Sequence, residues 1–126
     1  MLALVVDDSR AVRMILRGML REAGYETIEA GHGGEALAIL ADRPEATLAL
    51  VDWNMPIMDG LAFVRAVRAR AEFHALRILM VTTETEPAQV AAALTAGADE
   101  YLMKPFAKEA LFAKLSLMDC LAEREV

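Results

Sequence analysis

The stretch Leu48-Ala49-Leu50-Val51-Asp52-Trp53-Asn54-Met55-Pro56-Ile57-Met58-Asp59-Gly60 constrains the fold of this chain more than any other. It opens as a short apolar run with no polar face, which is how a strand covered on both sides of a parallel sheet reads. The run then stops on a carboxylate. In an open parallel α/β sheet ligands sit outside the carboxyl ends of the strands, so Asp52 is expected to face a crevice. Taken alone, an Asp at such a position is more commonly a turn residue. The other strand ends decide between the two readings.

The order of strand then helix repeats along the chain. Leu2 to Val6 is a first strand that runs straight into Asp7 and Asp8. Ser9 is placed to cap a helix that continues to about Ala23, where Gly24 stops it. Val12, Ile15, Leu16, Met19, Leu20 and Ala23 recur at the spacing of one buried helical face. Tyr25 to Ala30 is a less apolar strand, expected at a sheet edge, and Gly33 to about Asp42 is a short helix with Leu37 and Leu40 inward. A turn follows at Pro44. Beyond Asp59-Gly60, the residues Leu61, Val64 and Val67 predict a third helix. Ile78 to Val81 is a fourth strand that ends in Thr82-Thr83-Glu84-Thr85. Pro87 suits the first turn of a helix carrying Val90, Ala91 and Leu94, which Gly97 closes. Asp99 to Met103, then Lys104-Pro105, then a helix from about Ala107 to Ala122 complete the series.

Five strands alternating with five helices through short connections predict a three-layer α/β domain with a mostly parallel sheet, a single domain over residues 1–126. Right-handed crossovers bring the carboxyl ends of strands one, three, four and five to one edge. Asp7, Asp8, Asp52, Thr82, Thr83 and Lys104 are therefore expected to converge on one pocket.

Composition narrows what such a domain binds. A net charge of −6 speaks against a surface that tracks nucleic-acid phosphates, which needs a basic field. No apolar run approaches the roughly 18 residues of a membrane span. Cys120 is the one cysteine, which excludes an internal disulfide and a cysteine-based zinc site and fits a reducing compartment. The N-terminus has no basic leader and reads as a strand, not a signal peptide. Together these features predict a cytoplasmic protein.

Three carboxylates in one small pocket repel each other, and at neutral pH they call for protons or a cation. Magnesium takes oxygen ligands and is usually held by one or two carboxylates together with phosphate oxygens. Asp7, Asp8 and Asp52 with a backbone carbonyl suit it better than zinc or calcium. A lysine and a hydroxyl aimed at the same carboxylate suit a phosphoryl group attached to it, because phosphoryl transfer is catalysed by positioning and charge neutralisation. The pattern predicts that Asp52 is a nucleophile that becomes an aspartyl phosphate.

These residues resemble the receiver domain of bacterial two-component response regulators, most nearly the stand-alone chemotaxis (CheY-like) type. The resemblance spans essentially the whole chain. It is carried by Asp7-Asp8, by Asp52-Trp53-Asn54-Met55-Pro56 with Asp59-Gly60, by Val81-Thr82-Thr83-Glu84, by Gly97-Ala98-Asp99-Glu100-Tyr101 and by Lys104-Pro105-Phe106. It implies a (βα)5 doubly wound, flavodoxin-like fold with a five-stranded parallel sheet in the order 2-1-3-4-5. It implies that Asp52 accepts phosphate from a phosphohistidine on a sensor histidine kinase or a histidine phosphotransfer protein. Magnesium, or manganese in its place, would be held by Asp7, Asp8, Asp52 and the backbone carbonyl of Asn54, and Lys104 would contact the phosphoryl oxygens. Thr82 would move toward the phosphoryl group, Tyr101 would rotate inward into the space vacated, and the Lys104-Pro105 bond would be cis. Thr83 stands where a smaller residue is usual, so with Asn54 and Glu84 it is expected to govern access to the phosphoryl group and its lifetime.

The resemblance also implies a signalling switch that catalyses only its own phosphorylation and dephosphorylation. Its output partner, a flagellar motor switch or another effector, is expected on the face of helix four, strand five and helix five. The chain is expected to be a monomer that can dimerise on phosphorylation. A phosphate sink or phosphorelay intermediate is the alternative within the family. A phosphatase of the haloacid dehalogenase type is the alternative outside it, but those enzymes carry an acid-base Asp two residues after the nucleophile. Here that residue is Asn54, whose amide cannot shuttle a proton.

Gly31-His32-Gly33-Gly34-Glu35-Ala36 imitates a dinucleotide-binding fingerprint, yet it follows the second strand and leaves Asp7, Asp8 and Lys104 unexplained. Arg10, Arg13, Arg17 and Arg21 fall within about an 80° arc of the first helix, read either as its wet side or as a docking face for the phosphodonor. On the last helix Leu111, Leu115 and Met118 are expected inward, with Phe112, Leu117 and Leu121 on other sides. Cys120, His32 and His74 read as structural or surface residues.

Overall fold

Short apolar runs with polar ends form the strands, and helices cover both faces of the sheet they make. The computed structural model describes residues 1–120. The strands are β1 (Leu2–Val6), β2 (Glu26–Ala30), β3 (Ala46–Val51), β4 (Arg77–Thr82) and β5 (Glu100–Met103). The helices are α1 (Arg10–Glu22), α2 (Gly33–Asp42), α3 (Gly60–Arg68), α4 (Pro87–Ala96) and α5 (Lys108–Leu117), with a short 3-10 turn at Ala71–Phe73. Every pairing is parallel and the order is β2-β1-β3-β4-β5, the doubly wound arrangement expected, with the more polar β2 at an edge.

Successive strand side chains point to opposite faces. Thus Leu4, Val6, Ala49, Val51, Ile78 and Met80 enter one layer, where Leu40, Phe63, Val64, Val67 and Ala93 of α2, α3 and α4 cover them. Ala3, Val5, Leu48, Leu50, Leu79 and Val81 enter the other, under Leu16 and Leu20 of α1 and Leu111 and Leu115 of α5. Each large side chain fully buried this way stabilises the fold by roughly 1.5–3 kcal/mol. The middle of the sheet is therefore the rigid part, and its carboxyl edge is built on it.

Local chemistry sets the helix ends. The Ser9 hydroxyl accepts from Val12 N at 3.3 Å, and Asp59 Oδ1 accepts from Ala62 N at 2.8 Å. Gly97 closes α4 at φ 124°, where a Cβ would lie 2.5 Å from Arg68 Cγ.

The exposure of Ile15 and the end of the last helix differ from expectation. Ile15 is 57% exposed, because α1 meets the sheet through the narrower set Leu16, Leu20 and Ala23. On α4 the buried residue is Ala93, while Ala91 and Leu94 face outward, so this helix approaches the sheet through a small side chain. Helix α5 stops at Leu117, not near Ala122. Its end is closed by Cys120 N donating to Leu115 O at 2.7 Å, with Asp119 at φ 62°. Leu121 and Ala122 lie outside the described residues.

Candidate functional site

The pocket forms where the strands run out, and three backbone bonds extend the register one residue further. Asp7 N donates to Ala30 O at 3.1 Å, Asp52 N to Val6 O at 2.9 Å and Lys104 N to Thr82 O at 3.0 Å. Asp7, Asp52 and Lys104 are thus fixed as firmly as strand residues, although each begins a loop. The Lys104-Pro105 bond is cis, as expected.

Asp7 and Asp52 are 1% and 8% exposed, while Asp8 lies open to solvent. One carboxylate oxygen from each of the three lies within 4.8 Å of the others. Lys104 Nζ stands 2.8 Å from Asp7 Oδ2 and 3.6 Å from Asp52 Oδ2, and Ser9 N donates to Asp7 Oδ1 at 2.8 Å. Thr82 is fully buried, and Glu84 N donates to its hydroxyl oxygen at 3.3 Å. Burial pushes the Asp52 carboxyl above its usual range and the charge of Asp7 adds to this, while the Thr82 hydroxyl, the charge of Lys104 and the Trp53 amide oppose it. A carboxylate held this way is a poorly solvated anion, ready to attack an electrophile.

Tyr101 stands in the inward position, 9% exposed, and its hydroxyl donates to Glu84 O at 2.7 Å. Burial, then the charges of Glu84 and Asp52, push its hydroxyl up to about 12, so it is a donor throughout the neutral range. Asn54 and Thr83 are exposed at the rim, and Trp53 is buried beside Asp52. The sequence-predicted residues are therefore brought together, with Asp52, Asp7, Thr82 and Lys104 inside and Asp8, Asn54 and Thr83 around the mouth.

The response regulator receiver domain pattern matches residues 3–116. The chain belongs to that family. Among its relatives is the chemotaxis protein CheY1 of Helicobacter pylori, 42% identical over 116 residues, which cover 91% of this chain and 94% of the relative. A chemotaxis protein CheY homolog of Campylobacter jejuni is 42% identical over 113 residues, covering 89% of this chain and 87% of the relative. The crystal structure of Vibrio cholerae chemotaxis protein CheY4 superimposes with a TM-score of 0.85 at 39% identity, covering 92% of this chain and 96% of that one. This receiver domain is of the CheY type, a phosphorylation-dependent switch of two-component signalling. No described helix is long and apolar enough to cross a membrane.

Sequence reading missed the contacts of Arg13, Arg17 and Arg68. Arg13 and Arg17 belong to the charge stripe only in name: their side chains, 16% and 29% exposed, are clasped by Glu29 at 2.6 and 2.5 Å. Glu29, 16 residues after Arg13 on the polar edge strand, was the available signal. Arg68 donates to the carbonyls of Gly97, Phe73 and Leu76 at 2.9, 2.9 and 2.7 Å, which no motif announces. Gly60 lets α3 start against the Asp52 backbone.

Beside the pocket, Val12, Ile15, Leu16, Met19, Thr83, Lys104, Pro105 and Phe106 line an apolar groove of about 410 Å³. It runs from α1 to Lys104.

Proposed function

We propose that Asp52 is the phosphoacceptor and that the phosphodonor is a phosphohistidine protein docked over the groove between α1 and Phe106. A carboxylate oxygen of Asp52 forms a bond to phosphorus as the phosphorus–nitrogen bond breaks, and the imidazole leaves. Lys104 meets the charge of the transferred oxygens, and the Thr82 hydroxyl donates to the group once it is on Asp52. The observation that carries this reading is the Lys104 ammonium, 3.6 Å from the buried Asp52 carboxylate. The protein catalyses no turnover beyond its own phosphorylation and dephosphorylation, and it works in the cytoplasm. Thr83 and Glu84, with Asn54, stand where water must pass to reach the phosphoryl group.

The donor set fits a hard divalent cation: of three clustered carboxylates only Asp7 and Asp52 share the Lys104 ammonium, Asp8 has no cation beside it among the described residues, and all the donors are oxygens. Asp7, Asp8, Asp52 and the carbonyl of Asn54 would hold magnesium, which supplies neutralisation of phosphoryl charge. Exposed Leu94, Met103 and Leu117, at 43%, 47% and 71%, support an output surface on α4, β5 and α5. A flagellar switch protein or another effector would bind there.

Trp53 provides the test. Magnesium and then acetyl phosphate should each change its fluorescence, and magnesium at about 100 times its Kd should add about 2.7 kcal/mol of stability. Asp8→Ala should lose most of that gain. Two silent titrations of the wild type would refute the proposal.

A further inference from the structure

Beyond Val6 the ladder ends on both sides of β1, since the last aligned partners are Ala30 and Val51. Asp7 N still donates to Ala30 O, but the Asp7 carbonyl has left the sheet. That carbonyl is taken by Arg13, whose Nη1 donates to it at 2.5 Å. The same guanidinium is held from behind, its Nε donating to Glu29 Oε1 at 2.6 Å. Glu29 is anchored in turn by Arg17, whose Nη1 lies 2.5 Å from Oε2 and whose Nε donates to Thr27 Oγ1 at 3.0 Å. The hydrogen bond from Arg13, opposed by burial and aided by the charge of Arg17, holds the Glu29 carboxyl below its usual range. The clasp is therefore ionised at neutral pH.

The bond matters because of what it fixes. The Asp7 carbonyl and the Asp8 amide share one rigid plane, so holding the oxygen sets the rotation of the link between the two acidic residues. The Asp7 carboxylate has its own guides in Ser9 N and Lys104. Asp8 has none: among the described residues its carboxylate enters no hydrogen bond or ion pair, so only the backbone determines where it points. We infer that Arg13 is a positioning residue for the acidic cluster, clamping the Asp7–Asp8 peptide from α1 so that Asp8 faces the pocket shared with Asp7 and Asp52. The inference rests on the reading of that cluster as the metal site. Groups that orient metal ligands without touching the metal commonly change affinity about 10–100-fold when replaced.

Arg13→Lys keeps the positive charge but has one nitrogen where two are used, so a change in affinity is not Coulombic. Magnesium affinity is read from Trp53 fluorescence at a temperature where each variant is folded, with Tm measured in magnesium-free buffer alongside. Arg13→Lys should weaken magnesium about tenfold. Arg17→Lys, which disturbs the same Glu29 without touching Asp7, should match the wild type. Glu29→Gln leaves Arg13 but removes its charged anchor, and should weaken magnesium by a smaller factor; it decides the matter should Arg13→Lys not fold. A purely structural role would lower Tm and leave the affinity unchanged. Wild-type affinity in Arg13→Lys and Glu29→Gln overturns the inference alone, whereas a wild type blind to magnesium overturns the metal reading and the inference with it.

Discussion

Two glycine-to-alanine changes in this chain should act in opposite directions, and the difference measures how tightly the Asp52 backbone is packed. At Gly60 an added Cβ would lie 2.3 Å from the Asp52 carbonyl oxygen and 2.9 Å from both Met80 Cε and Trp53 Cα. The Met80 methyl can swing away. The Asp52 carbonyl cannot, because its strand is buried on both faces, so either that strand end or the start of α3 must move. Overpacking of this kind typically costs about 1–3 kcal/mol, and displaced backbone puts Gly60→Ala at the upper end. Unfolding entropy of about 2.1 cal/mol/K per residue, over 126 residues, gives roughly 0.26 kcal/mol/K. A loss of about 3 kcal/mol then lowers Tm by about 11 °C. At Gly18, exposed in the middle of α1, an added Cβ meets nothing within 4 Å. There alanine relieves the helix penalty of glycine, worth about 0.5–1 kcal/mol, and Tm should rise by about 2–4 °C. Thermal melts by circular dichroism in magnesium-free buffer give both numbers, and Trp53 fluorescence should report the displaced strand end only in Gly60→Ala. Equal shifts for the two variants, or a Gly60→Ala protein as stable as the wild type, would refute the packing argument.

Asp52→Asn should stabilise the magnesium-free protein at neutral pH. The folded state raises the Asp52 pKa, mainly through burial, so the ionised side chain costs stability above that pKa, and the cost fades as pH falls through the usual carboxylate range. Melts from neutral to acidic pH should show the Asn variant ahead by a few degrees at neutral pH and level with the wild type in acid; a constant gap would contradict the linkage. Arg68→Met should lower Tm by about 10 °C, since three backbone carbonyls lose their donor at about 1 kcal/mol each. A small shift in thermal melts would show that water replaces the guanidinium.

The strands and their order were legible because β1, β3 and β4 carry apolar residues at almost every position, which only a sheet covered on both faces accommodates. The site was legible for the same reason: each strand ends abruptly on the residue that reaches the pocket. Ile15 was misplaced because helical spacing defines an arc, whereas contact depends on how closely a helix approaches the sheet. Arg13 was misread because a charge stripe does not show which carboxylate lies across from it. Its partner Glu29 sits on another element, and the pairing exists only once β2 lies beside β1. The 3-10 turn at Ala71–Phe73 has no local signature of its own; its Phe73 carbonyl accepts from Arg68.

Lys104 and Asp7 meet across 97 residues of chain, from strands that are not neighbours in the sheet, with β3 and β4 between them. No partly assembled sheet can make that contact. The buried carboxylates of Asp7 and Asp52, at the ends of β1 and β3, depend for their ammonium on a residue that follows β5. The charge balance of the pocket is therefore a property of the completed sheet and not of any pair of neighbouring strands.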